Sequence, residues 1–353
     1  MASEQLKDRK KKGEILSAAD LARHLNISQW SISRAINGHK DVSEDTRERV
    51  RKAMEEYGFQ PNLYARGLRG RETGMIGVCF PRHGVPIIGQ KISELQMFLK
   101  EKNYRCLFES TMNRADVEAN AVKDFLNLKV EGIVTIQSQL MPADLSPLLE
   151  KKDTPCVMID PVQEGHICPS VSLDRHKAMA LLMGHLWELG HRRFALMGFG
   201  PRDGWRWPPL VDFAAKHGLS ADEVFVSLPK KKADDSFVVA GVELTEQLLQ
   251  MKPAERPMAL ICLDDLVALG VVQSLHRAGY SVPNDFSVTG FNNQDIAQCL
   301  FPRLTTIDQH PELLMEQVSS LLISQIKNCG GEDADTVLVE PQLVVGESTG
   351  PVH

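Results

Sequence analysis

Four side chains in one short stretch have the chemistry to read a base edge. Gln29, Trp30, Ser33 and Arg34 fall on one face if the chain around them is helical. An amide pairs bidentately with adenine and a guanidinium with guanine. Ser28, Ser31 and Asn37 nearby suit phosphate oxygens. An exposed indole beside a guanidinium does nothing for a small core. A second group lies far along the chain. Asp160, Asp264 and Asn292 each follow a short apolar run, and Arg206 stands between Trp205 and Trp207. Carboxylates and amides hold vicinal hydroxyls, a guanidinium holds oxygens in pairs, and an indole covers the apolar face of a sugar.

The first group needs a short helix fixed against a second. Ser17-Ala18-Ala19-Asp20 fits a capping box, and Ala18, Leu21, Ala22 and Leu25 continue at helical spacing. Asn26-Ile27-Ser28 breaks the period, with Asn26 suited to a turn and Ser28 to capping the next helix. That helix turns Ile32, Ala35 and Ile36 inward and stops at Asn37-Gly38. Ser43 caps a third predicted helix, with Glu44 and Asp45 in its first turn. Val50, Ala53, Met54 and Tyr57 form its expected buried stripe, and Gly58 ends it. Residues 17–60 therefore read as a helix-turn-helix whose second helix enters the major groove. Residues 1–16 read as a disordered basic extension. Residues 61–73 read as a basic, Gly-containing hinge, too short to hold a helix alone. Asn62 is placed to cap it. Leu68, without an obvious core partner, either wedges between base steps in the minor groove or packs on the body of a plain linker.

The second group needs a scaffold of strand ends. From residue 74 to 353 short apolar runs alternate with amphipathic stretches. Strands are expected at 76–80, 105–109, 132–136, 156–160, 193–198, 223–227, 258–263 and 286–290, and helices at 86–101, 114–128, 174–189, 236–251, 264–278 and 312–326. Such alternation implies parallel sheets flanked by helices, with ligands beyond the carboxyl ends of the strands. The length allows two α/β lobes with a cleft between them.

Charge separates the two parts. The chain of 353 residues has a net charge of −6, yet its first 71 residues are net positive and the acidic excess lies beyond them. A basic head on an acidic body directs only the head toward a polyanion. No apolar run is long enough for a membrane span and no secretory signal is read at the start. Seven scattered cysteines without a C-x-x-C pair suit a reducing cytoplasm and argue against zinc. Catalysis is not expected. Gly346-Glu-Ser348-Thr-Gly350 lies too close to the end for a nucleophile elbow, Gly198-Phe-Gly200 lacks a third glycine, and no P-loop occurs. His185 and His191 share no helical face, and no metal or cofactor is expected.

Ser17 to Gly38, then Val42-Ser43, Thr46-Arg47-Glu48-Arg49-Val50 and Tyr57-Gly58-Phe59-Gln60-Pro61-Asn62, closely resemble the LacI/GalR family in identity and order. The resemblance continues to about residue 349. It implies a lambda repressor-like all-α head and a two-lobed α/β body like the periplasmic binding proteins, with parallel sheets. It implies base contacts at Gln29, Trp30 and Arg34, and DNA contacts at hinge positions Asn62, Ala65 and Leu68, paired from two subunits. It implies effector contacts at Asp160, Arg206, Asp264 and Asn292. A homodimeric, cytoplasmic and nucleoid-associated repressor on a pseudo-palindromic double-stranded operator follows, with a sugar or sugar derivative as effector. An activator or corepressor-dependent regulator is the alternative.

The departures from the family pattern are specific. Trp30 replaces a small or polar residue, and Gly67 a helix former. Asp264 stands where Asn is usual and Asn292 where Asp is usual, an exchange that keeps one negative charge. Pro86-Ile87-Ile88 replaces an aromatic pair, and the Arg206 loop lacks the usual Gly-Phe. Local readings compete. Asp264 or Asp265 caps a helix, and Asp160 caps a loop. Asn293 is a turn residue, and Trp205 and Trp207 pack. His191-Arg192-Arg193 is a solvated turn, and Lys230-Lys231-Lys232 an exposed loop.

Overall fold

The computed structural model describes residues 17–36, 41–59, 73–82, 85–150, 154–162, 165–200, 206–230, 236–328 and 336–352. The extension 1–16, Asn37, and the hinge positions Asn62, Ala65 and Leu68 lie outside them, as do Trp205, Lys231 and Lys232. The chain divides into two compact units, residues 1–73 and 74–353.

The first unit holds three helices among the described residues: α1 (Ala18–Leu25), α2 (Gln29–Ile36) and α3 (Glu44–Tyr57). Ser17 Oγ accepts from the Asp20 N–H and donates to the Asp20 carboxylate, so Asp20 reaches the capping hydroxyl rather than the backbone. Asn26 takes the left-handed conformation (φ 55°) that closes α1, and Ser28 Oγ accepts from the Ser31 N–H at 2.9 Å to open α2. Ser43 caps α3, and Gly58 at φ 60° ends it. Leu21, Ala22, Ile32, Ala35, Val50, Ala53 and Phe59 form the core. Tyr57 is not part of it. Its ring is exposed and meets His24 of α1 edge-on at 4.8 Å, at the rim of the core.

The second unit is built on two parallel sheets. The first takes β1 (Met75–Phe80), β2 (Arg105–Ser110), β3 (Gly132–Ile136), β4 (Cys156–Ile159), β5 (Ser170–Leu173) and β11 (Thr336–Val339) in the order β11-β5-β4-β3-β1-β2. Alternate residues face opposite sides. Ile76, Val78 and Phe80 meet α4 (Pro86–Glu101) and α13 (Pro311–Asn328), while Met75 and Cys79 meet α5 (Ala115–Asn127) and α6 (Pro142–Glu150). The second sheet, β7-β6-β8-β9, takes β6 (Phe194–Gly198), β7 (Phe225–Pro229), β8 (Ala259–Cys262) and β9 (Ser287–Thr289). Phe194 and Leu196 face α7 (Arg175–Glu188) and α8 (Trp207–Lys216), whereas Ala195 and Met197 face α10 (Phe237–Gln250) and α11 (Asp265–Arg277). The one-turn α9 (Ala221–Val224) precedes β7, α12 (Asp295–Cys299) follows β9, and β10 (Thr306–Asp308) pairs antiparallel with β12 (Gln342–Val344). The chain thus passes between the lobes near Asp174, His310 and Glu340.

Two glycines let α10 and α11 cross in close contact. A Cβ on Gly241 would collide with the Val267 carbonyl, and one on Gly270 with the Val238 carbonyl. This crossing fixes Phe237 and Leu266, at the starts of the two helices, in one wall.

Three local expectations change. Residues 223 and 224, expected to begin a strand, instead close a one-turn helix over 221–224, whose start Ser220 and Glu223 fix with a capping box. Trp207 opens α8, where Pro208 and Pro209 are tolerated in the first turn; its partly buried ring packs on the second lobe's core. His191 is buried, its Nε2 within 2.9 Å of Ser287 Oγ and 3.2 Å of the Gly350 carbonyl, so only part of that turn is solvated. Ser348 is a structural hydroxyl that accepts from the Thr305 N–H and donates to the Val288 carbonyl. Among the described residues, no helix is long and apolar enough to cross a membrane, and no cluster of His, Cys, Asp and Glu is poised to hold a metal.

Candidate functional site

In the first unit, α2 carries the candidate polar face. Ile32 and Ala35 anchor one side in the core, which turns Gln29 and Trp30 outward. Trp30 is 62% exposed, too open for a packing role. The Arg34 guanidinium lies 4.4 Å from the Trp30 ring centroid and pairs with Asp41. The two side chains therefore form one stacked unit, with the planar guanidinium ordered before any ligand arrives. Ser28 and Ser31 hydroxyls bond each other at 2.8 Å at the start of α2, and Ser33 is half-buried on the same helix.

In the second unit, a cavity of about 420 Å³ opens between the lobes, within the usual range for small-molecule sites. Its wall is made where parallel strands end. Arg82 follows β1, Gln137 follows β3, Phe199 follows β6, Lys230 follows β7, Asp264 follows β8 and Asn292 follows β9. Arg206, Asp264 and Asn292 line this one cavity although they are widely separated in sequence. Ile87 and Ile88 supply an aliphatic wall in the first lobe, and Phe199, Phe237 and Phe291 an aromatic one in the second.

Asp264 and Asn292 are hydrogen-bonded to each other. Asn292 Nδ2 donates to Asp264 Oδ2 at 2.6 Å, Gln294 Nε2 donates to the same oxygen at 3.0 Å, and the Leu266 N–H donates to Oδ1 at 2.8 Å. Asp264 is thus both the cap of α11 and part of the cavity wall. Burial raises its carboxyl to about 6 against these donors and nearby Lys230. Gln309 Nε2 donates to Asn292 Oδ1, while its own buried Oε1 has no hydrogen-bond partner among the described residues. Asn292 is held at φ 106°, a conformation rare for a residue with a Cβ, as found where surroundings dictate a side chain's aim. Asp265, fully buried behind it, accepts from Thr306 Oγ1 and the Gln294 N–H; burial pushes it to about 7.

Asp160 does not line the cavity. It is buried behind the wall, where it accepts from Lys91 Nζ at 2.8 Å, from Arg175 at 3.0 Å and from the Leu173 N–H at 3.1 Å. Burial alone would raise its carboxyl, but the two cations overcome this and hold it at about 2. Its place is to fix Lys91 and Arg175, which do line the cavity. Lys230 is not merely a loop residue: it lines the cleft with its Nζ 4.5 Å from the Phe237 ring centroid. Asn293 is a turn residue at φ 48°, its amide donating to Asp308.

Comparison with known proteins matches both parts of this arrangement. Residues 18–62 match the description "Bacterial regulatory proteins, lacI family", and residues 183–349 match "Periplasmic binding protein-like domain". Residues 18–62 thus carry a lacI-type DNA-binding region and residues 183–349 a periplasmic binding protein-like one. It is 25% identical over 337 residues to catabolite control protein A of Priestia megaterium, covering 94% of this chain and 98% of that protein. It is 27% identical over 344 residues to the HTH-type transcriptional repressor CytR of Escherichia coli strain K12, covering 96% and 98%. Among solved structures, the lac repressor dimer bound to operator and the anti-inducer ONPF superposes with a TM-score of 0.82 at 22% identity, covering 95% of this chain and 99% of that one. The chain is thus a DNA-binding regulator with a lacI-type helix-turn-helix and a two-lobed α/β domain, and these relatives are transcriptional regulators rather than enzymes.

Several wall residues were not singled out from sequence. Arg82 and Gln137 carried a usable signal, because each lies one or two positions past an expected strand. Gln309 follows β10, a three-residue strand without a periodic pattern. Lys91 and Arg175 sit on helices, where a lone cation reads as surface charge.

Proposed function

We propose that this protein is a cytoplasmic, nucleoid-associated homodimeric LacI-family repressor of a pseudo-palindromic operator, and that a sugar or sugar derivative between the two lobes controls its affinity for that site. Gln29, Trp30, Ser33 and Arg34 read base edges, and Ser28, Ser31 and Asn37 hold phosphates. Asn62, Ala65 and Leu68 of the 61–73 hinge meet the minor groove. Residues 17–60 form the reading head and 74–353 the sensing and dimerising body, while 1–16 is a disordered basic extension. Arg206, Asp264 and Asn292 bind the effector directly, and Asp160 acts through Lys91 and Arg175.

The observation that carries this reading is the cavity between the lobes. Its polar wall converges from several strand ends, and one buried amide oxygen, Gln309 Oε1, is left to accept a hydroxyl. A ligand touching both lobes favours their closed arrangement by its differential affinity, and about 1–3 kcal/mol of such coupling is enough to regulate. On a duplex selected from a random library, affinity is expected to fall steeply with salt, since several phosphate contacts release counterions. Leu68→Ala should weaken operator binding and leave ligand binding intact. A flat salt response, or an unchanged affinity for Leu68→Ala, contradicts this reading of the head and hinge.

A further inference from the structure

The guanidinium of Arg34 is held from two sides. It lies over Trp30, 4.4 Å from the ring centroid, and its Nη2 pairs with Asp41 Oδ2. The two partners of that ion pair are placed by different helices. The buried Ile32 and Ala35 of α2 set the direction of Arg34. Asp41 is set by its neighbours at the start of α3, where Val42 packs on the head's core and the Ser43 side chain accepts from the Thr46 N–H. A pair anchored at both ends fixes the guanidinium relative to the whole head, not to α2 alone.

Folding does not account for this pair. Both side chains remain partly exposed, and ion pairs of that kind add little to stability. On a surface that meets DNA the carboxylate is unfavourable, since it repels the phosphates of every sequence alike. A cost shared by all duplexes can be offset by a gain at one base pair, and in that way an acid serves discrimination. An arginine loses rotamer freedom when it docks on a base, and one already aimed loses less. A fork held in place also cannot shift to accept a wrong base. Asp41 engages one end of a group with five N–H donors, which leaves others for a guanine edge.

We infer that Asp41 is a specificity-determining positioning residue, which holds Arg34 on Trp30 in the direction that meets a guanine edge and touches no base itself. This rests on α2 being the helix that reads DNA. Asp41 lowers affinity for duplexes in general and sharpens preference at the base pair under Arg34.

The test compares the full-length protein with Asp41→Asn, Asp41→Glu, Arg34→Ala, and Arg34→Ala combined with Asp41→Asn. Each selects duplexes from a random library, and each is titrated with the parent's selected site and with an unrelated duplex. Arg34→Ala marks the symmetric pair of positions that Arg34 reads. Asp41→Asn should relax preference at that pair by about threefold or more, part of what a bidentate contact supplies, and leave the other positions as they were. Its affinity for the unrelated duplex should stay level or rise. Asp41→Glu, which keeps the charge, should restore part of the preference. Added to Arg34→Ala, Asp41→Asn should change nothing further at that pair, because it acts through Arg34. Unchanged preference in Asp41→Asn, whatever the change in overall affinity, overturns the positioning role and leaves α2 as the reading helix. Loss of preference at a different pair of positions makes Asp41 a base reader in its own right and overturns it as well. Equal weakening on every duplex with a lower urea midpoint assigns Asp41 to folding, against the inference. Selection of no symmetric site by the parent, or of the same bases by Arg34→Ala, overturns the reading of α2 itself.

Discussion

The exposed polar face of α2 and the cleft between the lobes are built in opposite ways. On α2 the chemistry is local: two buried positions, Ile32 and Ala35, fix the helix, and its register alone turns Gln29 and Trp30 to solvent. In the cleft it is assembled. Arg82 and Gln309 are separated by most of the second unit, and each side chain is aimed by a strand end, a buried partner or a strained backbone. A site built from local register can change its side chains with little effect on folding. A site built by assembly cannot, because its residues also hold the fold.

The largest effect expected from this contrast is at Asp160. Asp160→Ala leaves the buried Lys91 without its carboxylate, which should cost about 3–5 kcal/mol in urea unfolding. A loss below about 1 kcal/mol would make Asp160 dispensable to the cleft. Next is the exchanged pair. Asn292→Asp sets a second carboxylate against Asp264, whose ordinary range is already raised to about 6 by burial. Acids with raised folded pKa values are protonated more in the native than in the unfolded state, so stability is greatest at low pH and falls as pH rises through 6. The variant should therefore lose little at pH 5 and much more at pH 8. Restoring the reverse order with Asp264→Asn and Asn292→Asp together should recover about 0.5–3 kcal/mol of coupling. Strict additivity would show that the two side chains act independently. The smallest effect on folding is expected for Trp30→Ala. An exposed cation–π contact is worth about 0.5–1 kcal/mol, so unfolding should hardly change while operator binding weakens by much more. A large loss of stability would place Trp30 in the packing of the head.

How much of this was legible follows from the same contrast. The head's caps, its turn at Asn26 and the outward Trp30 could be read almost completely, because each depends on neighbours within four residues. Tyr57 was misjudged because helical period assigns a face and does not say how far a partner covers it. In the body, the long amphipathic helices and apolar strands stood out, but β5 and β10 to β12 did not. Ser170-Val-Ser-Leu is too short and polar to signal a strand, and β11 is an exposed edge. Strand ends pointed to Asp264 and Asn292, and the strand-end rule pointed equally to Asp160. What set Asp160 apart was burial against Lys91 and Arg175, two helical cations whose meeting depends on tertiary packing. The Asp264 and Asn292 exchange was visible as a pattern, and its reason, a direct hydrogen bond, only in three dimensions.

The central claim is that the face of α2 reads sequence while the body behind it senses a metabolite, and the first half can be tested directly. Duplexes are selected from a random library with the full-length protein and with Arg34→Ala in parallel. The account predicts a two-fold symmetric site for the parent, and loss or change of preference at one symmetric pair of positions for the variant. Selection of no symmetric site by the parent, or of the same bases at every position by both proteins, would contradict it.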